Sequence, residues 1–257
     1  MTKNDIEKAA NEFLKLRNQL ERNYPEAIRE AERLAASIAD PSTATAGECW
    51  AKIWDKPLYA NCRVLVAERR KAILTSYMTD NWHELADLNG QYAITKGKGT
   101  SKSAYKLAGD LAQELNEEAG IPRHRLYAII CAARAFTLRS QRNAPFSELA
   151  NAELKTLVPA LRKELGFGWG NVTVLHFLTD MGLAIKPDLH VIRTMTYLGF
   201  SLANKNCTNA NFEELLKIND VAKNIIQLIK GNSDGASLRE VDYLMMQISN
   251  RGIIPSL

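Results

Sequence analysis

Leu157-Val158-Pro159-Ala160-Leu161-Arg162-Lys163-Glu164-Leu165-Gly166-Phe167-Gly168-Trp169-Gly170-Asn171-Val172-Thr173-Val174-Leu175-His176-Phe177-Leu178 is the stretch on which the reading of this chain turns, together with Lys186-Pro187-Asp188-Leu189-His190-Val191-Ile192-Arg193 a few residues later. Leu157, Leu161 and Leu165 form an apolar stripe at helical spacing. Gly166, Gly168 and Gly170 interrupt it, and Val172, Leu175, Phe177 and Leu178 open a second apolar helix with Asn171 available as its cap. Glycine takes positive φ without steric penalty, so the pattern predicts two short helices joined by a tight turn. The turn leaves amides bare at a helix N-terminus, and bare amides with the positive end of the helix dipole suit an anion such as a phosphate. A further helix is expected over residues 187–200, with Asp188 at its N-cap.

The hairpin followed by Pro187-Asp188-Leu189-His190-Val191-Ile192-Arg193 resembles the helix-hairpin-helix DNA glycosylases, the superfamily of endonuclease III and the alkyladenine glycosylases. Family members carry a Leu-Pro-Gly-hydrophobic-Gly turn, which Leu165-Gly166-Phe167-Gly168-Trp169-Gly170-Asn171-Val172 matches with Leu165 in place of the proline. The family aspartate lies in a Val-Asp-Thr-His-x-x-Arg context, and Asp188, His190 and Arg193 fall on it. In lyase members a hairpin lysine precedes that aspartate. Gly170 stands at the matching position, 18 residues before Asp188, so the spacing is kept and the amine is missing.

The resemblance implies an all-α protein of two helical domains flanking a cleft, with Asp188 at the cleft. A barrel domain of residues 76–185 would end in the hairpin, about 157–181, and residues 1–75 with 186–257 would form the second domain. It implies Gly166, Gly168, Gly170 and Asn171 as phosphate-binding positions, with room for a monovalent cation at the hairpin and no other cofactor. Cleaving a base–sugar bond requires the base to leave the stack and a negative charge to face the sugar as the base departs. Asp188 is the candidate for that charge, held ionised by the amides around it. Without the hairpin lysine, water rather than an amine is the expected nucleophile, and the expected product is an intact strand with an abasic site. Lys186, two residues before Asp188, is the nearest substitute amine. A non-catalytic DNA-binding module is the competing reading, which the retained Asp188 disfavours.

Composition agrees with an ordinary globular chain: 257 residues, 46% hydrophobic, 24% charged, net charge +4. A basic balance permits nucleic acid without requiring it, because charge must be clustered to matter. Two clusters stand out. Lys96, Lys98, Lys102 and Lys106 fall in a stretch with no acidic residue from Gly90 to Gly109. Its order of Gly and Lys is not that of a Walker loop. A phosphate-gripping loop is expected at Lys96, Lys98 and Lys102. Residues 121–147 carry Arg123, Arg125, Arg134, Arg139 and Arg142 and no Asp or Glu, which reads as a one-signed basic face.

Trp50, Trp54, Tyr77 and Trp82 gather in residues 47–88. Core packing is their commoner role, and lining a pocket for an extruded base the functional one. Cys49, Cys62, Cys131 and Cys207 have no zinc spacing, and no cysteine follows Cys207, so the cluster that some relatives carry is absent. His83, His124 and His176 form no metal set, and no metal is expected. No apolar run reaches a membrane span and the N-terminus lacks a signal region, so a cytoplasmic location is expected; the resemblance implies a DNA-associated monomer acting on duplex DNA with a damaged or modified base. Elsewhere, residues 5–38 and 211–230 read as helix, Pro25 starts a new segment, and Ser237-Leu238-Arg239-Glu240 reads as a capping box opening the last helix.

Overall fold

A computed structural model describes residues 1–60, 62–78, 81–87, 93–95, 104–106, 121–201, 210–231 and 234–255. The fold is all-α. Among the described residues the helices are α1 (Lys3–Asn23), α2 (Pro25–Ala36), α3 (Ala46–Ile53), α4 (Lys56–Tyr59), α5 (Val64–Met78), α6 (Trp82–Asp87), α7 (Arg123–Arg139), α8 (Leu154–Leu165), α9 (Asn171–Asp180), α10 (Leu189–Tyr197), α11 (Phe212–Lys230) and α12 (Gly235–Asn250). One antiparallel ribbon of two three-residue strands interrupts them, β1 (Ala93–Thr95) and β2 (Ala104–Lys106), with Ile94 opposite Tyr105. No helix among the described residues is long and apolar enough to cross a membrane.

The chain forms two compact units, residues 1–40 with 175–257, and residues 41–174. The first unit is built on α12. Its buried Leu238, Val241, Leu244, Met245 and Ile248 recur at three- and four-residue steps, so one face lies against α2 and α10. Phe13, Leu16 and Leu20 of α1 join Ile218, Ala222, Ile225 and Ile226 of α11 in the same core. Pro25 occupies the first turn of α2, where its missing N–H costs nothing, and separates α2 from α1 as expected. α11 opens on a capping box in which Asn211 accepts from Glu214 N and the Glu214 carboxylate accepts from Asn211 N. The last helix starts differently from its sequence reading. Asp234 is its N-cap, accepting from Ser237 N at 2.8 Å, while Glu240 pairs with Lys230. Gly235, the first residue of α12, lies back to back with Gly182. A Cβ on Gly182 would sit 2.8 Å from the Gly235 Cα, and Gly182 has φ +70.

The second unit is built on α7. Leu126, Ile129, Ile130, Ala133 and Phe136 are buried along it, and α3, α4, α6 and α8 pack around it. Three charged groups among the described residues are buried here, Asp55, Lys56 and Arg125. Asp55 is 1% exposed and accepts from both Lys56 and Lys71 at 2.6 Å. Arg125 turns inward and donates to the carbonyls of Pro57, Leu58 and Ala60, satisfying the irregular end of α4. Arg139 is held by Glu148 and Glu164 and lies over the Phe146 ring at 4.6 Å. Of the five arginines expected to make a one-signed basic face over residues 121–147, Arg125, Arg139 and Arg142 are engaged within the fold. Arg125 serves backbone carbonyls, and acidic partners from residues 148 and 164 neutralise Arg139.

Candidate functional site

The hairpin forms as expected. α8 ends at Leu165, Gly166 follows with φ 80 and Gly168 with φ 82, and α9 begins at Asn171. Trp169 anchors the turn. It is 2% exposed, and its indole N–H donates to the Ala128 carbonyl at 3.2 Å. That anchor brings the turn so close to α7 that a Cβ on Gly168 would lie 2.4 Å from the Ala128 Cβ. Gly168 is thus required twice, for its φ and for the approach. Gly170 is different. It has ordinary φ, and a Cβ built there meets nothing within 4 Å. It holds the cap position of α9, its carbonyl accepting from Val174 N at 3.0 Å. Asn171, which the sequence offers as the cap, is instead the first helical residue. A glycine cap has no side chain to engage the first-turn amides, and none of the Asn171, Val172 and Thr173 N–H groups donates to a group among the described residues. Gly166, Phe167, Gly168, Gly170 and Val172 are exposed, Asn171 is half-buried and Thr173 is buried.

Asp188 lies in the first unit, at the N-cap of α10. Its backbone is extended (φ −80, ψ 178), and Oδ1 accepts from His190 N at 2.9 Å and Val191 N at 3.0 Å. These bonds fix the carboxylate plane and stabilise its charge. The other oxygen, Oδ2, lies 3.2 Å from Lys186 Nζ, with about a quarter of the Asp188 side chain exposed. His190 turns away from it, and its Nδ1 meets Ser249 Oγ at 3.2 Å. His190 therefore braces α10 against α12.

The linker 181–188 that carries Asp188 is held by two buried side chains that the sequence reading did not single out. Asn219 of α11 accepts from Ile185 N at 2.8 Å and donates to the Ile185 carbonyl at 3.3 Å. Asp242 of α12 accepts from Lys186 N at 2.6 Å with Oδ1, and from Arg239 at 3.1 Å with Oδ2. Arg239 also reaches Asp180 at 3.2 Å. Burial pushes the Asp242 carboxyl up to about 6; Arg239 and Lys186 draw it down, and the Asp188 charge adds to the rise. Both residues left a signal in the sequence. Asn219 falls on the stripe of Leu215, Ile218, Ala222 and Ile226, and Asp242 on that of Leu238, Val241 and Met245. A polar residue at an apolar helical position is a buried polar residue with partners to find.

The other expected site residues are placed as follows. Trp50 and Trp82 pack with Phe136, at ring separations of 5.6 and 5.3 Å, and their indole N–H groups donate to Met78 O and Ser140 Oγ. Trp54 is buried as well. Each is a core residue of the second unit, and burial leaves no indole face open for a base in this conformation. The side chain of Tyr77, and Lys96, Lys98, Lys102 and Cys207, lie outside the described residues. His83 packs beside Trp82, and no group of three or more His, Cys, Asp or Glu among the described residues is arranged to hold a metal ion. Comparison of the chain with protein-family models, with curated proteins and with solved structures returned no match.

Proposed function

We propose that the chain is a monofunctional DNA glycosylase that extrudes a damaged or modified base from duplex DNA and hydrolyses its N-glycosidic bond. The observation that carries this reading is the Asp188 carboxylate. It is fixed through one oxygen by two helix amides and carries a second, partly exposed oxygen beside Lys186. Its sequence distance from a glycine hairpin with open amides supports the same reading. The hairpin amides would hold a backbone phosphate without regard to sequence. The fixed carboxylate would face C1′ of the flipped nucleotide. As the C1′–N bond breaks, its electrons leave with the base and positive charge grows on the sugar, which Asp188 stabilises. Water then bonds to C1′, and its proton passes through the carboxylate to the departing base or to solvent. Lys186 anchors the outer oxygen and keeps the carboxylate from rotating.

One observation favours a second reading. Lys186 Nζ is within 3.2 Å of Asp188, so an amine stands beside the carboxylate even though Gly170 supplies none. If that amine attacked C1′, the protein would be a glycosylase-lyase. Duplex oligonucleotides bearing alkylated or otherwise modified bases, scored for abasic sites before and after alkali, test the proposal. Alkali-labile sites in otherwise intact strands are expected, and a panel without base release would leave only a DNA-binding module.

A further inference from the structure

The linker 181–188 joins two helices without being one, yet it presents Asp188. Something other than a helical hydrogen-bond ladder must fix its backbone. The fixing groups are Asn219, 0% exposed, and Asp242, 3% exposed. Asn219 meets both the N–H and the carbonyl of Ile185, as a paired strand would, and ties its amide to Leu215 O at 3.1 Å on its own helix. Asp242 takes the next N–H, that of Lys186. The linker then closes on itself, the Asp188 N–H donating to the Lys186 carbonyl at 2.7 Å. Two consecutive residues are thus gripped from two helices, immediately before the turn that sets Asp188.

Burying an amide and a carboxylate in a helical core costs free energy unless their bonding is complete. Here each has partners, and apart from the bond of Asn219 to Leu215 O those bonds go to the linker or to Arg239, which reaches Asp180. The second oxygen of Asp242 holds Arg239, and Arg239 holds Asp180 at the C-terminus of α9, where the linker starts. Both ends of the linker are therefore tied to α12. An apolar side chain at residue 219 or 242 would extend the stripes of α11 and α12 and would leave the Ile185 or Lys186 N–H buried without an acceptor.

We propose that Asn219 and Asp242 are positioning residues that set the Asp188 carboxylate by clamping the backbone of Ile185 and Lys186. The proposal rests on the reading of Asp188 as the catalytic carboxylate. Neither residue touches substrate, since both are enclosed; they act through the linker. Displacing a reacting group by about 1 Å costs on the order of 100-fold in rate.

The test uses the full chain and an oligonucleotide duplex that the native protein cleaves. Asp242→Ala is expected to lower the single-turnover rate on the order of 100-fold while duplex affinity stays unchanged. Asp242→Asn keeps an oxygen for the Lys186 N–H and is expected to restore most of that rate. Equal rates for Asp242→Ala and the native protein, or no difference between the Ala and Asn variants, would overturn the proposal. Amide hydrogen exchange of the native protein needs no variant and no activity. The Ile185 and Lys186 amides should exchange as slowly as those of α12, and fast exchange there would overturn the clamp outright. If those amides are slow and the native protein releases no base from any duplex, the clamp stands as structure and the enzymatic reading of Asp188 is what fails.

Discussion

Asp188 Oδ2 and Lys186 Nζ lie 3.2 Å apart across a turn closed by the hydrogen bond from the Asp188 N–H to the Lys186 carbonyl. The two inner capping bonds occupy Oδ1, so the carboxylate divides its work: one oxygen belongs to the fold and the other faces the ammonium group and solvent. Asp188→Asn keeps the shape and keeps an oxygen for the His190 and Val191 amides. Asparagine is as good an N-cap as aspartate, and a partly exposed ion pair contributes on the order of 1 kcal/mol. The variant is therefore expected to fold with nearly native stability, to bind DNA as the native protein does, and to release no base. Thermal melting, gel-shift titration and an abasic-site assay on one preparation check all three. Base release within a few-fold of native would reduce Asp188 to a cap.

Gly170 offers a way to separate folding from phosphate binding at the hairpin. Its φ is ordinary and a Cβ there has open space, so a side chain is tolerated. Gly170→Asp places a carboxylate at the N-cap of α9, where it would accept from first-turn amides and complement the dipole, adding about 0.3–1 kcal/mol. The same charge would occupy the amides proposed to hold phosphate and repel it. Expected is a small rise in melting temperature with a sequence-independent loss of DNA affinity. Unchanged affinity would remove the hairpin from the DNA interface. Gly168→Val is a poorer probe, because the clash with Ala128 mixes unfolding into the result.

What was legible in the sequence follows from which forces act locally. The breaks at Pro25 and at Gly166 and Gly168, and the N-cap at Asp188, come from backbone chemistry that neighbouring residues fix, and they fall where expected. The start of the last helix was misplaced because two capping residues stand three apart, and Asp234 caps the helix by accepting from the Ser237 N–H. The arginines of residues 121–147 misled for another reason. Their local stretch holds no acid, but Glu148 and Glu164 arrive from the next two elements, and Arg125 faces carbonyls rather than solvent. At the candidate site, Asp188 was readable and its support was not. Asn219 and Asp242 lie 31 and 54 residues beyond it, visible in advance only as polar interruptions of apolar stripes.

Asp242 gives the first unit a pH dependence of unusual sign. Most shifted carboxylates among the described residues, such as Glu30 beside Arg33, are held below their ordinary range and favour folding as pH rises. Asp242 is raised from 3.8 to about 6 by burial, so between those values the folded protein holds a proton that the unfolded chain releases. The stability this proton contributes is full below about pH 3.8 and is lost as pH rises through about 6. Its size is on the order of 3 kcal/mol across that window. Asp242→Asn cannot titrate, so the stability difference between native and variant should drift in favour of the native protein as pH falls from 7 to 4. Urea unfolding at several pH values measures it, and a pH-independent difference would show that Asp242 ionises as freely in the fold as in the open chain.

The last prediction concerns the amine. If water attacks C1′, no covalent complex forms, and incubation of native protein, substrate duplex and borohydride should trap nothing. Strand breaks should appear only after alkali or heat. Lys186 is the residue that could overturn this, since its Nζ already stands beside Asp188. A trapped adduct that vanishes in Lys186→Ala would make the protein a lyase through a displaced amine. The converse experiment builds the missing group. Gly170 has open space for a Cβ and lies 18 residues before Asp188, the interval at which lyase members of the helix-hairpin-helix glycosylases carry their lysine. Gly170→Lys puts a cation at the N-terminus of α9, against the dipole, at a cost of about 0.3–1 kcal/mol, so the variant should still fold. If the resemblance to the lyases extends to the reach of this position, the new amine can attack C1′ and form a Schiff base, expelling the base and leaving an imine that borohydride reduces to a stable adduct. Expected is trapping in Gly170→Lys, none in the native protein, and none in Gly170→Lys combined with Asp188→Asn. A well-folded Gly170→Lys that releases base at the native rate and traps nothing would place residue 170 out of reach of the sugar, and the alignment of this hairpin with that of the lyases would fall with it.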